Sequence, residues 1–183
     1  MTSFDCHRIS EGHAEGELLT SSDDMCFYLV NPEDGTVIEE GHALQGVSVA
    51  GKILSFPNGK GSSVVQADGL YQLQKTGNAP RAMIIRNPDT TLVASAIILE
   101  IPLVDRLGEE FYRTAHDGQV VDVDADAQRV TLVGPPPQPG ATPSAATPGA
   151  TPCAATPGGS TAGAATPGAP SGGPRFLPIA DVS

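Results

Sequence analysis

The residues best suited to chemistry lie in one short run, Gly59-Lys60-Gly61-Ser62-Ser63. It follows the apolar segment Ser48–Phe56, which is stopped by the breaker cluster Pro57-Asn58-Gly59. It precedes Val64–Lys75, where Val64, Val65, Leu70, Tyr71 and Leu73 fall at helical spacing and share one broad face. A loop that feeds a helix start gathers free N–H groups, and the helix dipole favours an anion there. Gly59 and Gly61 let the backbone take positive φ and come close to a ligand. Lys60 adds a positive charge, and Ser62 and Ser63 add hydroxyls. Such a set would hold a phosphate, a carboxylate or an enolate-like intermediate. It is not a Walker A loop, which would need Gly at position 54 and Ser or Thr directly after Lys60, where the chain has Leu54 and Gly61. Taken alone, the five residues also read as an ordinary strand-to-helix turn with Ser62 or Ser63 as N-cap.

A serine in this setting can do more than bind. Its neutral hydroxyl is a weak base. Glycine amides, a helix N-terminus and a nearby cation would stabilise the alkoxide, so that it could take a proton beside a carboxylate. No His or carboxylate is obviously paired with Ser62 in the sequence. Arg86, after a buried strand, reads as a carboxylate ligand or a surface ion pair, and Asp105 as a turn or cap residue rather than a catalytic one. Tyr71 reads as core or interface. The histidines (His7, His13, His42, His116) show no HxxxH or HxH pairing and read as surface or loop residues. Cys6, Cys26 and Cys153 form no CxxC and no zinc spacing. Free thiols in a reducing, cytoplasmic setting follow, with no metal site on this chain.

Short apolar segments between glycines must position the loop. Cys6–Ile9, Gly16–Thr20, Met25–Val30, Thr36–Glu39, Ser48–Phe56 and Arg81–Arg86 read as strands, with a turn at Asn31-Pro32-Glu33-Asp34-Gly35. Leu92–Leu99 fits a strand or a short helix. Val120–Val123 and Arg129–Val133 flank a turn and read as a terminal hairpin. Many short strands with one or two helices give an α+β body over residues 1–133. Residues 134–183 are mostly Ala, Pro, Gly, Thr and Ser, with a recurring Ala-Thr-Pro-Gly unit, and read as a disordered tail. The formal charge of −11 sits in the body, because Arg175 and Asp181 cancel in the tail. An acidic body with Lys52, Lys60 and Lys75 as its lysines argues against a nucleic-acid surface. No segment approaches the ~20 apolar residues of a membrane span, and Met1–Ser10 has no signal-peptide pattern.

The ordered set of motifs is more specific than any one of them. Gly51-Lys52-Ile53-Leu54-Ser55-Phe56-Pro57-Asn58-Gly59-Lys60-Gly61-Ser62-Ser63, then Leu70-Tyr71-Gln72-Leu73, Gly77-Asn78-Ala79-Pro80-Arg81-Ala82 and Glu100-Ile101-Pro102-Leu103-Val104-Asp105, resembles the small subunit of the aconitase X family. Upstream, Gly12-x-x-x-Gly16, Asn31-Pro32-x-x-Gly35 and His42-x-Leu44-x-Gly46 fit as well, so the likeness spans Cys6 to Val133. The resemblance implies a swivelling β/β/α fold like the mobile domain of aconitase, and a hydro-lyase that works as a heterodimer. It implies that Ser62 is the proton acceptor. Gly59, Lys60, Gly61 and Ser63 are the substrate contacts of the anion-site reading, with Lys60 otherwise lining a solvated loop and Ser63 otherwise capping the helix. The resemblance places an iron–sulfur cluster and most substrate contacts in a large subunit. Two activities occur in the family, dehydration of (R)-5-phosphomevalonate in a mevalonate-type isoprenoid pathway and dehydration of cis-3-hydroxy-L-proline. The Gly-Lys-Gly-Ser spelling and the Ile101–Asp105 segment look more like the first. A non-catalytic swivelling interaction module is the alternative from another class.

Overall fold

The computed structural model describes residues 1–134. The expected tail, with Cys153, lies outside the described residues from position 135 on. Eight strands, β1 (Thr2–Asp5), β2 (His7–Ser10), β3 (His13–Thr20), β4 (Ile53–Phe56), β5 (Ala82–Ile85), β6 (Leu103–Asp105), β7 (Val120–Asp124) and β8 (Arg129–Leu132), run in the order β1-β8-β7-β3-β4-β5-β6-β2. Cys6 alone separates β1 from β2, yet these two strands stand at opposite ends of that order. One N-terminal segment therefore closes the sheet on itself, pairing antiparallel with β8 by its first half and with β6 by its second. β3 divides its pairing likewise: His13–Glu17 lie antiparallel to β7, and Leu18–Thr20 run parallel to β4.

β3, β4, β5 and β6 are mutually parallel neighbours, and β4 and β5 are buried throughout. Strands covered on both faces read as continuous apolar runs. The pleat then sorts their residues. Ile53, Ala82, Ile84 and Val104 join Val121, Val123, Val130 and Phe111 in one core. Leu54, Phe56, Met83, Ile85 and Leu103 face the other way, into a second core under two helices, α1 (Ser63–Thr76) and α2 (Thr90–Ile98). A third helix, α3 (Glu109–Thr114), lies between β6 and β7 in the chain. The fold is α+β, with a mixed sheet and three helices.

Several expectations need correction. Met25–Val30 is not a strand: Phe27–Leu29 is a turn of 3₁₀ helix flanked by single bridges at Met25 and Val30. Thr36–Glu39 forms only isolated bridges, and Ser48–Phe56 shortens to Ile53–Phe56. Leu92–Leu99 is helical because Asp89 caps it, its Oδ1 accepting from the N–H groups of Thr91 and Leu92, both at 3.0 Å. The buried stripe of α1 is Gln66, Gly69, Leu70 and Leu73, at i, i+3, i+4 and i+7. Val64 and Tyr71 fall outside it and are exposed. His42 lies in a loop, as expected, but is buried there; its Nδ1 accepts from Leu44 N–H at 3.0 Å. Asp105 is neither turn nor cap: it ends β6, buried, 2.6 Å from His7 Nδ1.

Candidate active site

The loop from Pro57 to Ser62 leaves the C-terminal end of β4 and enters α1. Its course is fixed by a second segment running beside it. Met25 N–H donates to Asn58 O and Lys60 N–H donates to Met25 O, both at 2.9 Å. Asn58 Nδ2 donates to Asp24 Oδ1 at 2.6 Å, and Asn87 Nδ2 donates to Asn58 Oδ1 at 3.0 Å. Three chain segments thus meet at one edge of the sheet, beyond the C-terminal ends of β3, β4 and β5. Open parallel sheets bind ligands at that edge.

The two glycines serve different ends. Gly61 has φ of 104°, a region that strains any side chain. Gly59 is there for space: a Cβ at that position would lie 2.6 Å from Asp89 Oδ2 and 2.8 Å from Gln66 Oε1. Both oxygens are buried and neither has a hydrogen-bond partner among the described residues. Gln66 Nε2 donates to Gly61 O at 3.1 Å, tying α1 back onto the loop.

Ser62 holds the N-cap position of α1, with extended φ and ψ of −71° and 159°, and Ser63 is the first helical residue. Neither hydroxyl caps the helix, since the cap residue makes no side-chain hydrogen bond. Gln66 N–H donates to the carbonyl of Ser62 at 3.0 Å instead. Ser62 Oγ is therefore uncommitted, exposed, and seated where the unpaired N–H groups of the first turn concentrate positive potential. No acidic residue of the first turn offsets that potential.

Lys60 does not point its charge freely at this site. Its Nζ sits 2.5 Å from Glu39 Oε1. The pair steadies the loop and neutralises most of the charge expected to act there. Cys26 Sγ backs the loop from below, 3.5 Å from where a Cβ on Gly61 would lie. Among the described residues no group of three His, Cys, Asp or Glu side chains converges as metal ligands. Cys6 and Cys26 are buried apart from one another, in the closed sheet and against the loop respectively. The donor set of the described residues does not fit an iron–sulfur cluster.

Three residues, Gln66, Asp89 and Tyr112, escaped the reading of the sequence. Gln66 and Asp89 pack behind Gly59, and the Asn87-Pro88-Asp89-Thr90 run carries a recognisable N-cap signal for Asp89. Arg86 is stacked on Tyr112, its guanidinium carbon 3.6 Å from the ring centroid, and nothing local links positions 86 and 112. No helix among the described residues is long and apolar enough to cross a membrane.

Comparison with known proteins bears on the same residues. The family model for the aconitase X swivel domain matches residues 3–132. The phosphomevalonate dehydratase small subunit of Methanosarcina acetivorans is 45% identical over 128 residues, covering 69% of this chain and 88% of that protein. The subunit of the same name from Methanocella arvoryzae is 46% identical over 127 residues, covering 69% and 96%. The crystal structure of aconitase X from Thermococcus kodakaraensis, holo-form, superposes with a TM-score of 0.67 at 36% identity, covering 73% of this chain and all of that one. With a strand-to-helix loop that leaves a serine hydroxyl uncommitted, and a match running through nearly all the described residues, the chain belongs to the aconitase X swivel-domain family.

Proposed function

We propose that this chain is the small subunit of a hydro-lyase that dehydrates (R)-5-phosphomevalonate to trans-anhydromevalonate 5-phosphate, in a mevalonate-type route to isoprenoids. The observation that carries the reading is Ser62, a hydroxyl at the N-terminus of a 14-residue helix with no structural task of its own. The names of the curated archaeal relatives supply the substrate.

The dehydration removes a proton from the carbon beside the carboxylate and a hydroxyl from the next carbon, leaving a double bond and water. Ser62 Oγ accepts the proton. The first-turn N–H groups of α1 stabilise the anionic oxygen that this requires, because they are already oriented and need no reorganisation. Gly61 brings backbone close to the substrate, and Ser63 and Gly59 line the same approach. Lys60 acts through its pair with Glu39 to hold the loop rather than as a free charge.

Ser62 is exposed, and a proton acceptor open to water cannot exclude it. A large subunit completes and covers the site. Val64 and Ile98, 76% and 77% exposed on α1 and α2 beside the loop, provide the apolar surface for it. The iron–sulfur cluster belongs to that partner.

The test is reconstitution with a large subunit and assay of both phosphomevalonate and cis-3-hydroxy-L-proline, wild type against Ser62→Ala. Loss of phosphomevalonate turnover by at least 100-fold in Ser62→Ala, with complex formation intact, is the expected result. Full activity of Ser62→Ala would remove the assigned role. Turnover of hydroxyproline alone would replace the substrate.

A further inference from the structure

We infer that a cavity on the same edge of the sheet, built around Arg86, is the subsite for the phosphoryl group of the substrate, a step that rests on the function proposed above. The cavity has a volume of about 300 Å³ and is lined by Thr20, Ser22, Ser55, Pro57, Arg86 and Tyr112 among others. It opens where β3, β4 and β5 end together. Ser21 N–H donates to Ser55 O at 2.8 Å and Arg86 N–H donates to Phe56 O at 3.2 Å, so the walls are stitched across all three strands. A volume of this size is at the small end for ligand pockets. It suits a phosphoryl group with part of a short chain and is too small for a dinucleotide.

The lining is that of an anion site. Ser55 is only 3% exposed as a residue, and it lines the cavity. Its hydroxyl is a ready donor to an anion seated there. Thr20 and Ser22 add two more hydroxyls without side-chain partners among the described residues. Arg86 supplies the charge. Its guanidinium carbon sits over the Tyr112 ring, 3.6 Å from the centroid, which limits the movement of the donor fork. Its one ion pair among the described residues, 2.8 Å to Glu109, is with a carboxylate that is 73% exposed. An exposed pair of that kind holds only weakly in water. A dianionic phosphoryl group, held by two parallel N–H donors and by hydroxyls, competes well with it. Lys60, by contrast, is held by a much less exposed Glu39 and is a poor candidate for the same task.

The cavity and the proton acceptor share one piece of chain. Phe56 and Pro57 line the cavity, and the loop reaches Ser62 five residues later. Asn87, next to Arg86, is bonded to Asn58 within that loop. A substrate with an anionic group at one end and an acidic carbon at the other would be gripped and deprotonated by a single rigid edge.

Two measurements test the subsite. In the full chain alone, inorganic phosphate is titrated while backbone amide shifts are followed. Saturable shifts at Ser21, Ser22, Ser55 and Arg86, absent in Arg86→Ala, are expected; no saturable shift in the wild type, or an equal response in Arg86→Ala, overturns the proposal. In the reconstituted complex, KM for phosphomevalonate should rise 10-fold or more in Arg86→Ala with a smaller change in kcat, and Arg86→Lys should restore part of it. Unphosphorylated mevalonate serves as the comparison, since a purely structural role for Arg86 would impair both substrates alike. Phosphate binding without any dehydratase activity would fault the proposed function and leave the subsite standing. Wild-type kinetics in Arg86→Ala would do the reverse.

Discussion

The two orphaned oxygens behind Gly59 lead to a prediction with a definite sign. Asp89 Oδ2 and Gln66 Oε1 are both acceptors, both buried and both unpartnered, and each lies within 2.8 Å of the point where a Cβ on Gly59 would sit. A buried polar atom left unsatisfied costs about 1–3 kcal/mol. Replacing Asp89 by Asn changes that local balance with almost no change of shape. Asn Oδ1 can keep the two cap bonds now made to the N–H groups of Thr91 and Leu92, because Asn and Asp are equally good N-caps. Its Nδ2 takes the place of Oδ2, so a donor replaces one of two orphaned acceptors on the side of Gly59 where Gln66 Oε1 also lies.

The opposing term is the lost negative charge at the N-terminus of α2, worth about 0.3–1 kcal/mol. The net gain is about 1–2 kcal/mol, which for a body of this size raises Tm by about 3–8 °C. Asp89→Ala is the control. It loses the cap at a cost of about 0.5–2 kcal/mol and leaves Gln66 Oε1 unpartnered, so it should melt below wild type. Thermal unfolding of the three proteins at pH 7, followed by calorimetry, decides the matter. If Asp89→Asn melts at or below wild type, the carboxylate is satisfying something that an amide cannot, and the reasoning fails.

Two further outcomes follow from the same geometry. Gly69→Ala should destabilise the chain by about 2 kcal/mol or more in urea unfolding: its Cβ would lie 2.3 Å from Tyr28 N and 2.4 Å from Phe27 C, both backbone atoms that cannot rotate away. Helix propensity alone would give a gain of about 1 kcal/mol, so a stabilised variant would show that α1 does not pack on the 3₁₀ turn as described. The Cys6 thiol is pushed up from 9.0 to about 11, first by burial and then by the charges of Asp105, Asp5 and Asp124. The folded chain then holds this proton more tightly than the unfolded one, so the contribution to stability is complete below about pH 9 and declines as pH rises towards 11. Urea midpoints between pH 8 and pH 10.5 should fall more steeply in wild type than in Cys6→Ala; equal slopes would contradict the shift.

What could be read from the sequence was whatever local spacing determines. The loop at Gly59–Ser63 and the helix after it were legible because a breaker cluster and a helical apolar stripe are local signals. Met25–Val30 was misread because Cys26, Phe27, Tyr28, Leu29 and Val30 have strand-like composition, and β-propensity records fit to a half-buried surface rather than a backbone preference. In the fold this segment closes its own hydrogen bonds, Leu29 N–H to Cys26 O at 2.9 Å, and turns Phe27 and Val30 into the core under α1. Strand β1 was missed because Thr2–Asp5 shows no apolar alternation; its place beside β8 is set by closure of the sheet. Helix α3 has six residues, too few for a period to show. The Arg86–Tyr112 stack and the convergence of Gln66 and Asp89 behind Gly59 join residues far apart in the chain, and one sequence carries no sign of such groupings.

The division of labour in the proposed enzyme has a mechanical consequence. Arg86 and Ser62 are carried by loops at the ends of adjacent parallel strands, β5 and β4, and Asn58 and Asn87 bond those loops together. A swivelling subunit that moves as one body cannot change the separation between its phosphoryl grip and its proton acceptor. Closure against the large subunit would then place the acceptor by way of the phosphate. Binding energy from the end of the substrate remote from the reacting carbons would be spent on orientation in the transition state, not only on holding the ground state. That is why substrate lacking the phosphate should lose kcat as well as affinity in the wild-type complex. In the proposed enzyme the exposed Ser62 hydroxyl would have its environment completed only when the anionic end of the substrate has drawn the two halves into register.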